Sequence, residues 1–282
     1  MALLLAYLAA TGLTDKDGKL RGRSAEQEEA LLENVLAENT AGETMERKNT
    51  EGGDNYVSKT EAYPYLYAKG NIITEELPEK VVFLTFDDGP SRNTVKILDT
   101  LKEYGACATF FVVGENLTED GIAIAKRALE EGHMLGMHTE THQYEKIYHS
   151  VESFLTDYDK LAARFVEAFG ACPAAFRFPG GSYSAYINPI KKELREELDR
   201  RGFVGYDWTV SGEDSVGTPT AASIKKHIFD EIDSREAPIV LLHDSPGSYL
   251  TAEVLPDILE RLVAEGYTFM TLEHREPYQF PW

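Results

Sequence analysis

Short apolar runs alternate with helical patterns from about residue 63 onward, and each run predicts a buried strand. Apolar residues at helical spacing fill the intervals, as in Ile97, Leu101 and Tyr104 before Gly105, where a glycine is typical of a helix end. This alternation predicts parallel strands joined by right-handed crossovers. The predicted strands are 81–87, 108–113, 134–138, 175–178, 203–207, 239–243 and 268–272.

The chain before this pattern is polar, charged and interrupted by glycine. We interpret residues 1–62 as an N-terminal extension and linker, and residues 63–282 as one domain. One helix is predicted in the extension, capped by Ser24 and Gln27. Residues 1–10 are apolar but lack a basic leader and are too short to span a bilayer. They fit either a first helical turn or the remnant of an export signal or anchor.

Reactive side chains fall at the carboxyl ends of five predicted strands: Asp87, His138, Arg177, Asp207 and His243. In a barrel these ends form one ring around one mouth, whereas an open sheet would spread them in a line. No Gly-x-Gly-x-x-Gly loop follows the first strand, as a dinucleotide-binding open sheet would require. We therefore predict an α/β fold, a distorted (β/α) barrel with about seven parallel strands.

Composition narrows the choice of partners. The 282 residues are 43% hydrophobic and can bury one large core, while a net charge of −20 argues against binding to nucleic acid or to anionic lipid. No protein partner is implied. Cys107 and Cys172 cannot build a disulfide framework, and we favour two free thiols over a bridge.

Two adjacent carboxylates, Asp87 and Asp88, follow the buried run 81–84. Side by side they repel each other unless a cation or a proton lies between them, so they predict a metal site. His138 and His142 are four positions apart, which on a helical turn would bring both imidazoles to one ion. Such pairs also occur on solvated helices, but the position of His138 at a strand end favours the metal. Both carboxylates can reach one site only if the chain turns there.

The gap between the pKa of a carboxylate and the pKa of water explains why hydrolysis would need the ion. A free carboxylate of pKa about 3.9 faces water of pKa about 15.7, a gap of roughly 16 kcal/mol. Water on zinc reaches a pKa of about 7, which cuts the gap to about 4 kcal/mol. His243 is then the candidate proton donor, and Arg177 the candidate that orients a carboxylate. Singly, they could equally be a core histidine and a surface salt bridge.

These motifs together resemble the polysaccharide deacetylases of the NodB-homology carbohydrate esterase family. The resemblance covers roughly residue 63 to the C-terminus and rests on segments in a fixed order. They are Thr85-Phe-Asp-Asp-Gly-Pro90, His138-Thr-Glu-Thr-His142, Arg177-Phe-Pro-Gly180, Trp208 to Asp214 and Leu241-Leu-His243.

The resemblance implies a distorted, roughly seven-stranded barrel and one divalent ion, with zinc expected and cobalt, manganese or nickel as alternatives. It implies that Asp87 is the general base, with Arg177 holding it, and that His243 is the general acid. The implied metal ligands are Asp88, His138 and His142. The implied substrate contacts are Leu241 at the acetyl methyl group, the Gly180 N–H at the oxyanion, Trp208 and Tyr183.

This chain departs from the family pattern at two places. Gly180-Gly181 stands where many members have an aromatic residue after the proline, which predicts a more open sugar groove. Ser211 stands where an aspartate is expected to tune the acid histidine. Asp214 or Asp207 could supply that charge, and Asp214 is included among the catalytic candidates.

The leading hypothesis is hydrolysis of N-acetyl groups on a polymeric amino sugar, with peptidoglycan favoured and chitin-type oligomers or O-acetylated xylan as alternatives. An extracellular or cell-surface location is expected. A non-catalytic glycan-binding barrel would leave Asp87 and His243 without roles. An iron oxygenase, which binds its metal through two histidines and one carboxylate, would also leave Asp87 and His243 without roles. A serine hydrolase is disfavoured because Gly180-Gly-Ser182 is not a nucleophile elbow.

Overall fold

The computed structural model describes residues 62–68, 73 and 76–280. The helix predicted behind Ser24 lies outside the described residues. Each helix among the described residues is too short or too polar to span a bilayer. The strands are β1 (Val81–Gly89), β2 (Thr109–Val113), β3 (Met134–Thr139), β4 (Ala175–Phe176), β5 (Val204–Gly205), β6 (Val210–Ser211), β7 (Ile239–His243) and β8 (Thr268–Phe269).

Helices connect the strands on the outside of the sheet. The helices are α1 (Arg92–Tyr104), α2 (Glu119–Glu130), α3 (Tyr144–Ile147), α4 (Val151–Phe169), α5 (Lys191–Arg200), α6 (Ala221–Glu231) and α7 (Tyr249–Ala264). Helix α1 shows how local sequence sets these bounds. Ser91 and Thr94 form a reciprocal capping box at its start, and Gly105 ends it with a φ of 63°.

All the strand pairings are parallel, in the order β5-β4-β3-β2-β1-β7-β6, and β8 pairs with β1 beside this path. The sheet curls into a half-barrel, which confirms the predicted α/β class and seven-stranded arrangement. Among the described residues no pairing joins β5 to β6, so the sheet does not close into a complete barrel.

Three predicted strands, 175–178, 203–207 and 268–272, are wrong in length, since each keeps only two residues as β-structure. Strand β6, Val210–Ser211, was not predicted from the sequence. The short strands β4 and β5 have a physical cause. The carbonyl of Arg177, just after β4, is bonded to His138 Nδ1, and the carbonyl of Tyr206, just after β5, accepts from Arg177 Nε. Side chains of the site thus use backbone groups that a longer ladder would need.

Two apolar clusters hold the sheet in place. Alternate residues of β1 face opposite sides, so that Val82, Leu84 and Phe86 pack under the helices while Val81 and Phe83 fill the barrel interior. The interior cluster also contains Phe111, Ala175, Tyr206, Ile239 and Leu272. Cys107 and Cys172 are both free thiols, as favoured from the sequence.

Candidate active site

Asp87 lies at the C-terminal end of β1, on the face that points into the barrel. Val81 and Phe83 precede it on that face. Its carboxylate is 4% exposed, and Oδ1 accepts a 2.8 Å hydrogen bond from Arg177 Nη1. A buried carboxylate requires such a partner. The strand alternation therefore carries a carboxylate to the barrel mouth, where a guanidinium holds it.

Arg177 follows β4 and is fixed by several bonds at once. Nη1 donates to Thr85 Oγ1 at 2.8 Å as well as to Asp87, Nε donates to the Tyr206 carbonyl at 2.8 Å, and Nη2 donates to the Asp207 carbonyl at 3.1 Å. The guanidinium carbon lies 4.3 Å from the centre of the Phe111 ring. Only 1% of Arg177 is exposed, which excludes the alternative of a surface salt bridge.

Asp88 reaches the same mouth as Asp87 because β1 is irregular near its end, where the register with β2 shifts between Asp87 and Gly89. Asp88 has a φ of 75°, which rotates its side chain away from the outer face that strand alternation would give it. His142 also has a positive φ, 55°, and its N–H donates to Thr139 Oγ1. The helical turn predicted for His138 and His142 is wrong. His138 ends β3 and His142 lies in the loop before α3, so the loop, not helical spacing, brings the imidazoles together.

The three side chains Asp88, His138 and His142 offer ligand atoms within 4.8 Å of one another. Asp88 Oδ1 is 3.4 Å from His138 Nε2 and 3.2 Å from His142 Nε2. Burial raises the pKa of Asp88, but the two imidazoles outweigh it and hold that pKa well below the usual value. Asp87 lies off this cluster, with its Oδ2 at 3.9 Å from His138 Nε2.

The donor set fits a divalent cation. His138 Nδ1 lies 2.8 Å from the Arg177 carbonyl, which can only accept, so Nδ1 carries a proton and Nε2 is the ring nitrogen that faces Asp88. Asp88 Oδ1 is buried and has no hydrogen-bond donor among the described residues. When His138 is neutral, this buried oxygen faces an imidazole lone pair, and a bound cation would satisfy both atoms. Two imidazoles and one carboxylate suit zinc and similar ions.

Two supporting residues were missed from the sequence. Asn116 Nδ2 donates to the Asp88 carbonyl at 2.8 Å and so fixes the turn after β1. Asp157 on α4 accepts from the Glu140 N–H and from Thr141 Oγ1, both at 2.7 Å, and so fixes the loop between the two histidines. Nothing in the local sequence marks these polar residues, because their partners are remote in the chain.

His243 ends β7 in register with Asp87 on β1. Its Nδ1 is 2.8 Å from Asp214 Oδ1, and its backbone N–H donates to Asp214 Oδ2. Thr251 on α7 also donates to this carboxylate. Burial by itself lowers the pKa of His243, but the hydrogen bond and charge of Asp214, with the charges of Asp87 and Asp88, raise it to about 9. His243 is therefore protonated at neutral pH and able to donate.

Of the two aspartates considered for tuning His243, only Asp214 contacts it. Asp207 instead accepts hydrogen bonds from both the N–H and the Oγ of Ser182 and from the Phe280 N–H. Ser211, at the departure from the family pattern, accepts from the Glu213 N–H through its hydroxyl. The charge missing at Ser211 is thus supplied three positions later.

The predicted substrate contacts surround the same mouth. Leu241 lies on β7, 6% exposed. Gly180 is exposed with a φ of 77°, a value that favours glycine. Gly181, with a φ of 76°, leaves room for the ring of Trp208, which a Cβ would meet at 2.8 Å. Tyr183 is 58% exposed beside Trp208, with ring centres 6.0 Å apart.

Asp244, directly after His243, is a further residue that the sequence did not single out. It is fully buried, its N–H donates to the Asp87 carbonyl, and its Oδ2 accepts from Thr94 Oγ1. Burial raises the pKa of Asp244 to about 7, against the effect of the Thr94 hydrogen bond. Asp244 links the ends of β1 and β7, which carry the base and acid candidates.

Comparison with known proteins gives relatives that are all named as deacetylases or esterases of polysaccharides. The family model described as polysaccharide deacetylase matches residues 74–197. The chain is 32% identical over 207 residues to a peptidoglycan-N-acetylglucosamine deacetylase of Bacillus cereus, a match covering 72% of this chain and 72% of that protein.

Solved structures agree with this result. The catalytic domain of peptidoglycan N-acetylglucosamine deacetylase from Eubacterium rectale has a TM-score of 0.68 at 27% identity, covering 76% of this chain and 97% of that one. A family 4 acetyl xylan esterase from Clostridium thermocellum, in complex with a cobalt ion, has a TM-score of 0.56 at 29% identity, covering 68% and 88%.

Proposed function

Because this chain belongs to the polysaccharide deacetylase family, we propose that it is a metal-dependent hydrolase that removes N-acetyl groups from a polymeric amino sugar. The favoured substrate is the N-acetylglucosamine of peptidoglycan, since two of the relatives reported above are named peptidoglycan N-acetylglucosamine deacetylase. A cell-wall substrate would place the enzyme outside the membrane, so the extracellular or cell-surface location belongs to the same proposal.

One observation carries the proposal: Asp87 is held by Arg177, separately from the cluster of Asp88, His138 and His142. A base must remain free of the ion to accept a proton, and the arginine gives Asp87 a partner other than the metal. His243 lies on the neighbouring strand β7, in register with Asp87. A base and a protonated acid thus flank one site, as hydrolysis of an amide requires.

Each residue then has a defined task. Asp88, His138 and His142 would hold the divalent ion, which when bound supplies a Lewis acid and lowers the pKa of water to about 7. Asp87 accepts a proton from the attacking water. The Gly180 N–H donates to the oxygen of the acetyl carbonyl as its charge develops. His243 donates its Nε2 proton to the departing amine, while Asp214 keeps the imidazole protonated and oriented.

The test measures acetate release from oligomers of N-acetylglucosamine, with and without a chelator. We expect metal removal to lower the rate by about 10²-fold or more, because a Lewis acid contributes several kcal/mol. Asp88→Asn should lose both activity and metal content. Asp87→Asn should lose about 10²- to 10⁴-fold in kcat but keep the metal, measured by elemental analysis after dialysis.

Three outcomes would contradict the proposal. Full activity after metal removal would exclude the metal-dependent mechanism. Equal loss of metal in both aspartate variants would place Asp87 on the ion and remove the base. Tight oligosaccharide binding without acetate release would favour a non-catalytic glycan-binding barrel. Acetylated xylan belongs in the same substrate panel, because one structural relative is an acetyl xylan esterase.

A further inference from the structure

Three aromatic rings form a continuous surface beside the candidate catalytic groups. Phe280 lies 4.7 Å from Tyr183 and 5.2 Å from Trp208 between ring centres, and Tyr183 and Trp208 are 6.0 Å apart. We call Tyr183, Trp208 and Phe280 the aromatic platform. Two of its members come from loops that follow β4 and β5, and the third comes from the C-terminal segment. The sequence motifs give no sign that Phe280 belongs to the site.

The buried carboxylate of Asp207 fixes the platform from beneath. Asp207 is 1% exposed and accepts from the N–H and Oγ of Ser182, at 2.9 and 2.5 Å, and from the Phe280 N–H at 2.7 Å. Its own N–H donates to the Tyr278 carbonyl at 2.7 Å. Ser182 precedes Tyr183, and Asp207 precedes Trp208. One side chain therefore anchors the backbone beside all three rings.

The platform is continuous with the catalytic groups. Trp208 packs over Gly181, next to the proposed oxyanion donor Gly180, and its ring lies 5.8 Å from the guanidinium carbon of Arg177, which holds Asp87. On the other side Tyr183 is 58% exposed, and Phe280 is only partly buried. Rings that are fixed in place yet open to solvent offer binding area at little cost in conformational entropy.

We propose that the aromatic platform binds a pyranose ring of the glycan, the sugar next to the one that loses its acetyl group. One face of a pyranose carries C–H groups and can stack on aromatic rings, while its hydroxyl groups stay in water. Such contacts need no positive charge on the protein, which suits a protein of net charge −20. This proposal rests on the proposed function, and it gives Phe280 a role in selecting polymers over short substrates.

The test compares N-acetylglucosamine with its hexamer, because only the hexamer carries a sugar next to the one that loses its acetyl group. We expect Phe280→Ala and Tyr183→Ala each to lower the ratio of kcat/KM for the hexamer to that for the monomer about tenfold, mainly through KM for the hexamer. Tenfold corresponds to about 1.4 kcal/mol of lost stacking. Phe280→Trp should restore the ratio, because a ring is regained at the same position.

Tyr65→Ala is the matched control, since Tyr65 is an exposed aromatic, 48%, whose N–H is bonded to Asp159 on α4 rather than to any group of the site. It should keep the wild-type ratio. An unchanged ratio in both Phe280→Ala and Tyr183→Ala would overturn the proposal, and so would an equal loss for the monomer and the hexamer.

A calorimetric titration separates this proposal from the proposed function. The hexamer is titrated into Asp87→Asn and into the double variant Asp87→Asn with Phe280→Ala. A tenfold weaker affinity of the double variant supports the platform even if the wild-type enzyme releases no acetate. Equal affinities exclude it even if the wild-type enzyme is active.

Discussion

The carboxylate of Asp214 binds both the ring and the backbone of His243, and this contact sets the pH range of the proposed acid. The imidazole must be protonated to donate, so activity falls as pH rises through its pKa, about 9. Asp214→Asn removes the main raising influence. We expect the alkaline limb of kcat/KM against pH to move down by about 1 to 3 pH units, measured by acetate release.

Glu213→Gln is the control for this prediction. Glu213 is the preceding residue and also a carboxylate that pairs with a histidine, but its partner is His227, and Glu213 is exposed while His227 is only partly buried. Its removal should leave the alkaline limb in place. An alkaline limb that stays in place in Asp214→Asn would show that Asp214 does not set the protonation of His243.

Single residues differ in how far the sequence reveals them. Asp87, Asp88 and His243 stand out because charged or titratable groups rarely end apolar runs. Asp157 and Asn116 lie among ordinary polar residues, and their use depends on contacts with loops many positions away. The choice between Asp207 and Asp214 likewise depended on which carboxylate reaches His243, and the fold of the backbone determines this.

At the scale of elements, the backbone of Gly89, the last residue of β1, packs closely against Asp244, which follows β7. A Cβ on Gly89 would overlap the carboxylate of Asp244. We expect Gly89→Ala to lower the free energy of unfolding by about 1 to 3 kcal/mol, in urea denaturation followed by circular dichroism. The cost should be smaller in an Asp244→Ala background, because the group that it meets has gone.

The double-mutant cycle isolates this contact. Gly247→Ala serves as the comparison, because a Cβ there meets nothing closer than Ser245 Oγ at 3.7 Å, and it should change stability by no more than about 0.5 kcal/mol. Equal costs for Gly89→Ala in the two backgrounds would mean that Asp244 does not restrict the turn.

The strands differ in how closely their lengths follow the apolar runs of the sequence. β1 and β7 follow their apolar runs closely, since both are buried on two faces and need only backbone partners. β4 and β5 are shorter than their runs, because Arg177 and His138 take the carbonyls that would continue the ladder. Periodicity cannot detect a backbone group that a remote side chain has already bound.

At the scale of the whole molecule, Arg201 fastens residues 62–68 to the domain. It is buried, donates to the carbonyls of Tyr63 and Leu66, and pairs with Glu197. We expect Arg201→Met to lower the free energy of unfolding by about 3 to 5 kcal/mol, because buried acceptors lose their donor. The turnover rate of the folded enzyme should not change, since none of these contacts touches the active site.

Arg200 provides a matched comparison, because it binds the same Glu197 carboxylate with its side chain 45% exposed. Arg200→Met should cost about 0 to 1 kcal/mol, as is usual for exposed ion pairs. Urea unfolding of the two variants in parallel gives the contrast. Similar losses would show that burial does not distinguish the two arginines.

The sequence alone determined the parallel α/β class, the positions of the main strands, and the identity and order of the reactive residues, because apolar periodicity and residue chemistry are local properties. Only the tertiary structure decided that a loop rather than a helix joins His138 to His142, that Asp214 reaches His243, and that Phe280 lies beside the catalytic mouth. These outcomes depend on backbone turns and on contacts between residues far apart in the chain, which no local pattern encodes.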